Sequence, residues 1–339
     1  MRGSHTFCLF SLISITTQLG LEQNSFIAIR NECPIELFSG KSVGNTLTIG
    51  IPKGSLEEST ISLFAKAGFR FYGSERLLWL TSNDPELKPV LLRPQEIPMY
   101  VANGRLDCGL AGWDWIVENG CNGQIRQLAD LCYSKRSFRA VRWVLAVADD
   151  SPFQKVSDLK SVKPPIRIST ELCKVTENWL SERGIIADVR FSWGATEAKV
   201  PHFADAIVDC TETGSSLRAN GLRIIDTVIE STTQFFANKE IYKTDDWKRT
   251  KLDGIALLLK SCLAAERKVS LHLQVPDADA DAVTALLPVD ANYTMWDGKN
   301  GFKLMEVLID KEEARDIIPV LARNGARKIS IASLGMLYE

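Results

Sequence analysis

The sequence predicts an α/β fold that ends in a ferredoxin-like domain. Between residues 46 and 229, short apolar segments with strand patterns alternate with amphipathic helices, which is typical of a mostly parallel sheet with helices on both faces. Residues 269–334 then give the order strand, helix, strand, strand, helix, strand. The 339 residues, 45% hydrophobic and 24% charged, suit two or three globular domains.

The first α/β unit begins with an alternating strand at residues 46–51 and a Pro-Lys-Gly turn. Ser55 and Glu58 have the spacing of a capping box, so the next helix is expected to begin at Ser55. A second strand ends at Leu92, and Arg93 opens a helix that reaches Gly104. Three further elements are predicted in this half: a buried strand at 106–112, a helix at 113–118 and a strand at 142–148.

The second half repeats this pattern after a turn at residues 149–152. Its first helix places five residues on one face at helical spacing: Leu172, Val175, Thr176, Trp179 and Leu180. The predicted strands are 166–169, 186–192, 204–209, 222–229, 269–275, 292–296, 302–308 and 329–334. The remaining predicted helices are 252–263, 279–287 and 312–324.

Composition excludes several classes of protein. The 40 Lys+Arg and 42 Asp+Glu give a net charge of −2, without the basic excess of a nucleic-acid binder. No apolar run reaches the ~18 residues of a transmembrane helix. The three histidines lie far apart and form no metal-binding motif. The chemistry is therefore not expected to depend on imidazole.

The eight cysteines indicate a reducing compartment. No pair has the CxxC spacing, and several lie in apolar runs, which favours buried free thiols over a catalytic or metal-binding role. We therefore expect a cytoplasmic protein.

Residues 1–45 form an extension of uncertain status. Arg2 precedes an apolar run at residues 7–15, which weakly resembles a signal peptide without the small-residue cleavage pattern. The segment also fits the remains of an expression tag or a start codon placed too far upstream. We leave it out of the fold prediction.

The most informative segment is the loop after the strand at residues 204–209. The strand ends at Asp209, and Thr211, Thr213, Gly214, Ser215 and Ser216 follow before a short helix. Glycine, consecutive amides and hydroxyls can surround a phosphate monoester, and a carboxylate beside them suits ribose hydroxyls or Mg²⁺. The same residues also fit a loop that only caps a helix. We call residues 209–216 the phosphate loop.

Several motifs together resemble one enzyme family. They are IPKGSL (51–56), RPQEIP (93–98) followed by GRLDCGLAGWD (104–114), and GATEAKVPHFADAIVDCTETGSSLRANGLRIID (194–226). In this order, and with the C-terminal βαββαβ unit, the chain from residue 46 onward resembles long-form ATP phosphoribosyltransferase, the first enzyme of histidine biosynthesis.

The resemblance implies a reaction and an architecture. N1 of ATP would displace pyrophosphate from C1 of phosphoribosyl pyrophosphate, giving phosphoribosyl-ATP. It also implies Mg²⁺ held mainly by the substrate pyrophosphate, a bilobed core like type II periplasmic binding proteins, a dimer or hexamer, and inhibition by histidine at a C-terminal regulatory domain. No nucleic-acid or membrane partner is implied.

The resemblance also assigns roles to residues. The phosphate loop would hold the 5′-phosphate, and Asp209 the ribose hydroxyls or magnesium. Lys53 and Arg93 would face phosphates in a cleft between two lobes, with Asp107 and Glu197 as polar anchors. Each also has a purely structural interpretation, such as a solvated turn for Lys53 or a turn cap for Asp107.

Some positions depart from the family pattern. Ser55 stands where many members have Arg, which removes one possible phosphate contact. Leu172-Cys173 stands where members often have Tyr-Pro, so the family's contacts around the start of this lobe II helix are not expected to carry over unchanged. Thr294 matches a Thr of the effector pocket, whereas Gln274 stands where a carboxylate would better receive the amino group of histidine. Histidine inhibition is thus a weaker expectation than the transferase activity.

The predicted domains are lobe I (46–140 and about 230–250), lobe II (141–229) and a regulatory domain (253–339). The main alternative is a bilobed small-molecule-binding protein without catalysis, which leaves the phosphate loop and the C-terminal unit unexplained. A ligand-sensing DNA-binding regulator is a second alternative, but the sequence shows no helix-turn-helix.

Overall fold

The computed structural model describes residues 45–338 except 75, 134–139, 162 and 290. The predicted N-terminal extension lies outside the described residues, apart from Asn45.

The strands and helices alternate through most of the chain. The strands are β1 (Leu47–Pro52), β2 (Phe71–Tyr72), β3 (Thr81–Ser82), β4 (Leu87–Leu92), β5 (Cys108–Gly112), β6 (Ile125–Leu131), β7 (Val141–Ala148), β8 (Ile166–Thr170), β9 (Ala187–Phe191), β10 (Ala206–Thr211), β11 (Leu222–Ser231), β12 (Thr233–Asn238), β13 (Lys268–Pro276), β14 (Asn292–Asp297), β15 (Phe302–Asp310) and β16 (Arg327–Ser333). The α-helices are α1 (Glu57–Lys66), α2 (Ile97–Ala102), α3 (Trp113–Glu118), α4 (Cys173–Glu182), α5 (Ser215–Ala219), α6 (Lys239–Thr244), α7 (Asp246–Arg267), α8 (Ala280–Thr284) and α9 (Lys311–Arg323).

Lobe I is built on the sheet with strand order β4-β1-β5-β12-β6. Strands β4, β1 and β5 are parallel, and β12 pairs antiparallel with both β5 and β6. One face of the sheet packs on α1 and α7 through residues such as Phe64 and Leu259, and the other on α2 and α3 through Ile97 and Ile116. The carboxyl ends of β1, β4 and β5 therefore meet at one edge.

Lobe II is built on the sheet with order β11-β7-β10-β8-β9. Strands β10, β8 and β9 are parallel, whereas β7 is antiparallel to both of its neighbours. All five residues of the predicted apolar face of α4 are buried. The expectation of a mostly parallel sheet is corrected: both sheets are mixed. The chain leaves lobe I after β6 and returns in β12. The returning strand β12 runs antiparallel to both of its neighbours, β5 and β6.

The third sheet has the order β14-β15-β13-β16, with antiparallel neighbours throughout. Its inner residues, such as Leu271 and Val307, pack with α8 and α9 residues such as Val283 and Leu321. The other face carries Ser270, His272 and Gln274 on β13, in register with Leu308, Glu306 and Leu304 on β15.

Helix α7 joins lobe I to this third sheet. Its apolar residues, from Leu252 to Cys262, belong to the lobe I core, and the amide of Leu337 donates a hydrogen bond back to the carbonyl of Ser261 at 2.9 Å. We therefore place the start of the C-terminal unit at Lys268 rather than at residue 253. No helix in the described part of the chain is both long enough and apolar enough to span a membrane.

The predicted capping box at Ser55 is wrong. Helix α1 begins at Glu57, and its N-cap residue Leu56 makes no side-chain hydrogen bond. Glu57 instead accepts from the amide of Gly54 at 3.2 Å. Gly54 adopts a φ of +106°, a conformation that glycine takes without strain. The turn then continues through Ser55 and Leu56 before the helix begins.

The packing of α7 on lobe I gives a first prediction. Leu259 is fully buried, whereas Leu257 of the same helix is 40% exposed. We expect Leu259→Ala to lower the free energy of unfolding by about 2–5 kcal/mol. Leu257→Ala, the matched control, should change it by less than about 0.5 kcal/mol. Urea unfolding of both variants checks this, and equal losses would contradict the placement of α7.

Candidate active site

The carboxyl ends of strands from both lobes meet at one cavity of about 390 Å³. Ser55 and Leu56 reach it after β1, and Pro94 and Gln95 after β4. From lobe II the end of β10 contributes Cys210, Thr211 and Glu212, and residues next to the interlobe connections, such as Tyr133 and Thr232, also line the cavity. The full lining comprises Ser55, Leu56, Pro94, Gln95, Gly112, Asp114, Trp115, Cys132, Tyr133, Val141, Trp143, Cys210, Thr211, Glu212, Ser231, Thr232 and Thr233. In α/β proteins this edge is where ligands bind.

Lys53 and Arg93 follow the adjacent strands β1 and β4, close in the chain to the cavity residues Ser55 and Pro94, but are not themselves among the lining residues. Pro52 pairs with Leu92 in the parallel ladder, so each cation follows directly after its strand. The amide of Lys53 donates to the carbonyl of Leu92 at 2.7 Å, which extends the pairing. Both side chains are exposed, and neither makes an ion pair with a described residue. Two adjacent unpaired cations suit an anionic ligand.

The backbone of the phosphate loop is held by its own residues. Gly214 precedes α5 with φ +74°, and a Cβ added there would lie 2.9 Å from the guanidinium of Arg218. Its amide donates to Thr211 Oγ1 at 2.8 Å, so this amide is committed within the loop. The first-turn amides of α5 have no partner within the helix and remain the donors for an anion. Thr211 therefore holds the backbone of the loop in place through its hydroxyl group.

Glu197 is brought to the phosphate loop from the preceding segment. It lies in a 3-10 turn at Thr196–Lys199, and its Oε1 accepts from Ser216 Oγ at 2.7 Å. Thr213 Oγ1 donates to Ser215 Oγ at 3.1 Å. The predicted group of Asp209, Glu197 and the loop hydroxyls is thus gathered at one place.

Asp209 is half-buried beside other carboxylates. Burial is the main cause that raises its pKa to about 6, and Glu197 and Glu171 raise it further, while the amide of Cys210 and the ammonium of Lys199 lower it. The Cys210 amide donates to Asp209 Oδ1 at 2.8 Å. The loop therefore places backbone amides that can bind an anion close to three carboxylates, those of Asp209, Glu197 and Glu171.

Asp107 does not reach the cavity. It lies at the amino end of β5, at the opposite edge of the lobe I sheet, and is 8% exposed. Its Oδ2 accepts from the amide of Thr48 at 2.7 Å, and its Oδ1 from Lys248 Nζ at 2.7 Å. The expected role as a polar anchor in the cleft is corrected: Asp107 ties α7 to β1 and β5.

Asp114 is a cavity residue that the sequence analysis quoted only as part of a motif. It is buried at the start of α3, and Trp143 Nε1 donates to its Oδ2 at 2.5 Å. The amide of Asp114 donates to Ser231 Oγ at 3.1 Å. Burial raises the pKa of its carboxyl group. The signal that could have revealed this residue in the sequence is its position two residues after a buried strand that ends in glycine.

Thr294 and Gln274 lie on the same, outer face of the C-terminal sheet. Thr294 on β14 is in register with Glu306 on β15, which is in register with His272 on β13. Ser270 Oγ donates to Glu306 Oε1 at 2.7 Å. The structure thus provides a carboxylate close to Thr294, on a strand that the sequence analysis did not single out.

Comparison with known proteins identifies the family. A family model described as HisG, ATP phosphoribosyltransferase, matches residues 93–261. The ATP phosphoribosyltransferase of Pelotomaculum thermopropionicum is 47% identical over 284 residues, which are 84% of this chain and 96% of that protein. The chain belongs to the ATP phosphoribosyltransferase family. Its relative from Chlorobaculum parvum is 44% identical over 296 residues, 87% of this chain and 98% of that protein.

A solved structure has a similar fold over about two thirds of this chain. In the ATP phosphoribosyl transferase HisG:HisZ complex from Thermotoga maritima, one chain is 25% identical and superposes with a TM-score of 0.53. The match covers 63% of this chain and 99% of that chain.

The position of Asp107 gives a second prediction. Asp107→Asn removes the ion pair with Lys248 from a largely buried site, so we expect a loss of about 1–3 kcal/mol in the free energy of unfolding. The KM values of the transferase reaction should stay unchanged. The exposed pair Lys66–Glu266 is the control, because Lys66→Met should cost less than about 1 kcal/mol. A higher KM with an unchanged free energy of unfolding would instead indicate that Asp107 takes part in substrate binding in the cleft.

Proposed function

We propose that the interlobe cavity is where this chain transfers the phosphoribosyl group of phosphoribosyl pyrophosphate to N1 of ATP, releasing pyrophosphate. The observation that supports this proposal is a cavity lined from both lobes, by Ser55 and Pro94 close to the lobe I cations and by Thr211 and Glu212 of the phosphate loop. Lys53 and Arg93 come from lobe I, and the phosphate loop from lobe II. Membership in the ATP phosphoribosyltransferase family supplies the reaction.

The chemistry suits a site without a histidine base. As the bond from C1 to the pyrophosphate oxygen breaks, positive charge grows on the ribose ring and negative charge on the leaving group. The bond from N1 of adenine to C1 then forms on the opposite side. Catalysis comes from alignment of the two substrates and from electrostatic stabilisation of these charges.

Each group at the cavity has a place in this scheme. The amides and hydroxyls of the phosphate loop hold the 5′-phosphate, and Asp209 accepts from the ribose hydroxyls. Lys53 and Arg93 follow the lobe I strands whose ends lead to the cavity, and there they stabilise the negative charge of the pyrophosphate. Glu197 orients the loop through the hydroxyl of Ser216.

The donor set also fits magnesium bound with the substrate. Asp209 lies close enough to Glu197 and Glu171 for their charges to raise its pKa. If a dication were bound beside Asp209, its charge would offset the repulsion among these carboxylates and between them and the substrate phosphates. Asp209 is the residue that would contact it, and its chemistry would be to neutralise the pyrophosphate charge. Within the described residues no cluster of three metal-ligating side chains occurs.

The proposal also covers the type of core, the C-terminal unit and its effector. We propose that the core is of the type II periplasmic-binding-protein kind and that residues 268–339 form a ferredoxin-like regulatory domain. Its strand order and antiparallel pairing support this assignment. Histidine would bind on the outer face near Thr294 and Gln274, with Glu306 receiving its amino group. A homodimer or hexamer and a cytoplasmic location complete the proposal.

The transferase proposal predicts a specific loss at the lobe I cations. In an assay of pyrophosphate release with ATP, phosphoribosyl pyrophosphate and magnesium, Arg93→Met and Lys53→Met should each lower kcat/KM by about 10- to 100-fold, because each removes a charge that stabilises the leaving group. Arg105→Met, an exposed cation at the opposite sheet edge, is the control. No pyrophosphate release by the unaltered chain would refute the proposed function.

The raised pKa of Asp209 predicts a pH effect. In the free protein its carboxylate is protonated below about pH 6, so kcat/KM should fall on the acid side of pH 6. The unfolded pKa lies near 4, so the protonated form stabilises the fold below pH 4 and this contribution is lost as pH rises through 6.

Asp209→Asn tests both consequences. The variant should be more stable relative to the unaltered chain at pH 7 than at pH 4, and its residual activity should lack the acid limb near pH 6. Asp149→Asn, on the surface of lobe II, is the control. An unaltered acid limb in Asp209→Asn would exclude Asp209 as its source.

A further inference from the structure

Helix α3 belongs to lobe I in the chain but makes polar contacts with lobe II at both of its ends. Asp114 and Glu118 are four residues apart, so their side chains project from the same face of the helix. Trp115 and Val117 of the same helix pack against the hydrophobic core of lobe II. The helix therefore bridges the two lobes.

The first bridge is the hydrogen bond from Trp143 Nε1 to Asp114 Oδ2 at 2.5 Å. Trp143 lies on β7 and Asp114 on α3, and both side chains are buried. The rings of Trp115 and Trp143 also meet edge to face, with centroids 5.9 Å apart. A hydrogen bond to a buried carboxylate is among the stronger kinds in proteins, so this contact favours one relative position of the lobes.

The second bridge lies at the other end of α3. The two carboxylate oxygens of Glu118 accept from the amides of Lys174 and Val175, each at 3.0 Å. These amides form the first turn of α4, whose own N-cap residue Leu172 makes no side-chain hydrogen bond. A side chain of lobe I thus supplies the cap for a lobe II helix.

The chain passes from lobe I to lobe II between β6 and β7, and returns at Thr232 between β11 and β12. Two such crossings allow hinge opening. Contacts made only when the lobes are together shift the equilibrium toward the closed form. We propose that Asp114 and Glu118 are positioning residues that hold the lobes at the angle at which Lys53 and Arg93 face the phosphate loop.

The kinetic test separates positioning from stability. When Glu118→Ala opens the lobes, substrate must restore closure, so KM for both ATP and phosphoribosyl pyrophosphate should rise about 3- to 10-fold while kcat stays within about twofold. A purely structural loss would lower kcat, through the active fraction, without raising KM. Glu177→Ala, an exposed carboxylate on α4, is the control. Trp143→Phe removes the indole N–H together with part of the ring that packs on Trp115, and should act in the same direction as Glu118→Ala.

Hydrogen exchange of the full chain gives a readout independent of activity. Glu118→Ala should speed exchange in α3 as well as in α4, and magnesium with phosphoribosyl pyrophosphate should restore protection in both. The proposal is overturned if α3 exchange and both KM values are unchanged, or if kcat alone falls. The kinetic arm rests on the proposed function, whereas the exchange of the ligand-free chain does not, so failure of one can be told from failure of the other.

Discussion

The catalytic cavity exists because strand ends from two separate sheets are held against each other. Neither lobe alone carries both the cation pair of Lys53 and Arg93 and the loop that begins at Asp209. The lobes are connected by two crossings and by helix α3, so the distance between the two half-sites depends on packing at this junction. The position of α3 therefore matters as much to the site as the residues that contact substrate.

Charges of opposite sign lie on the two lobes near the cavity, and in the proposed function they would suit substrates that bring their own counter-ion. Lobe I offers unpaired cations, while lobe II places Asp209 and Glu197 directly beside anion-binding amides. Phosphates alone would be repelled by these carboxylates, whereas phosphates with a dication would be attracted. This local separation of charge explains how a chain with a net charge of −2 can bind two polyanionic substrates.

Local patterns in the sequence were enough to predict the elements that carry the site. Strand β1 has an alternating pattern, helix α3 follows a buried strand that ends in glycine, and the loop after β10 has a glycine before a short helix. The antiparallel insertion of β12 was not predictable in this way, because pairing between distant segments leaves no local signal. Asp107 was misplaced for the same reason, since its partner Lys248 lies far along the chain. The bridging role of Glu118 likewise depends on α4, which only tertiary packing brings near.

The most direct test of this account is the footprint of phosphoribosyl pyrophosphate with magnesium on the amide hydrogen exchange of the full chain. Binding across the cavity should protect residues 209–217 of lobe II together with residues 53–57 and 93–97 of lobe I, and leave residues 268–333 unchanged. Protection confined to a single lobe, or found only in the C-terminal sheet, would contradict a substrate site shared between the lobes.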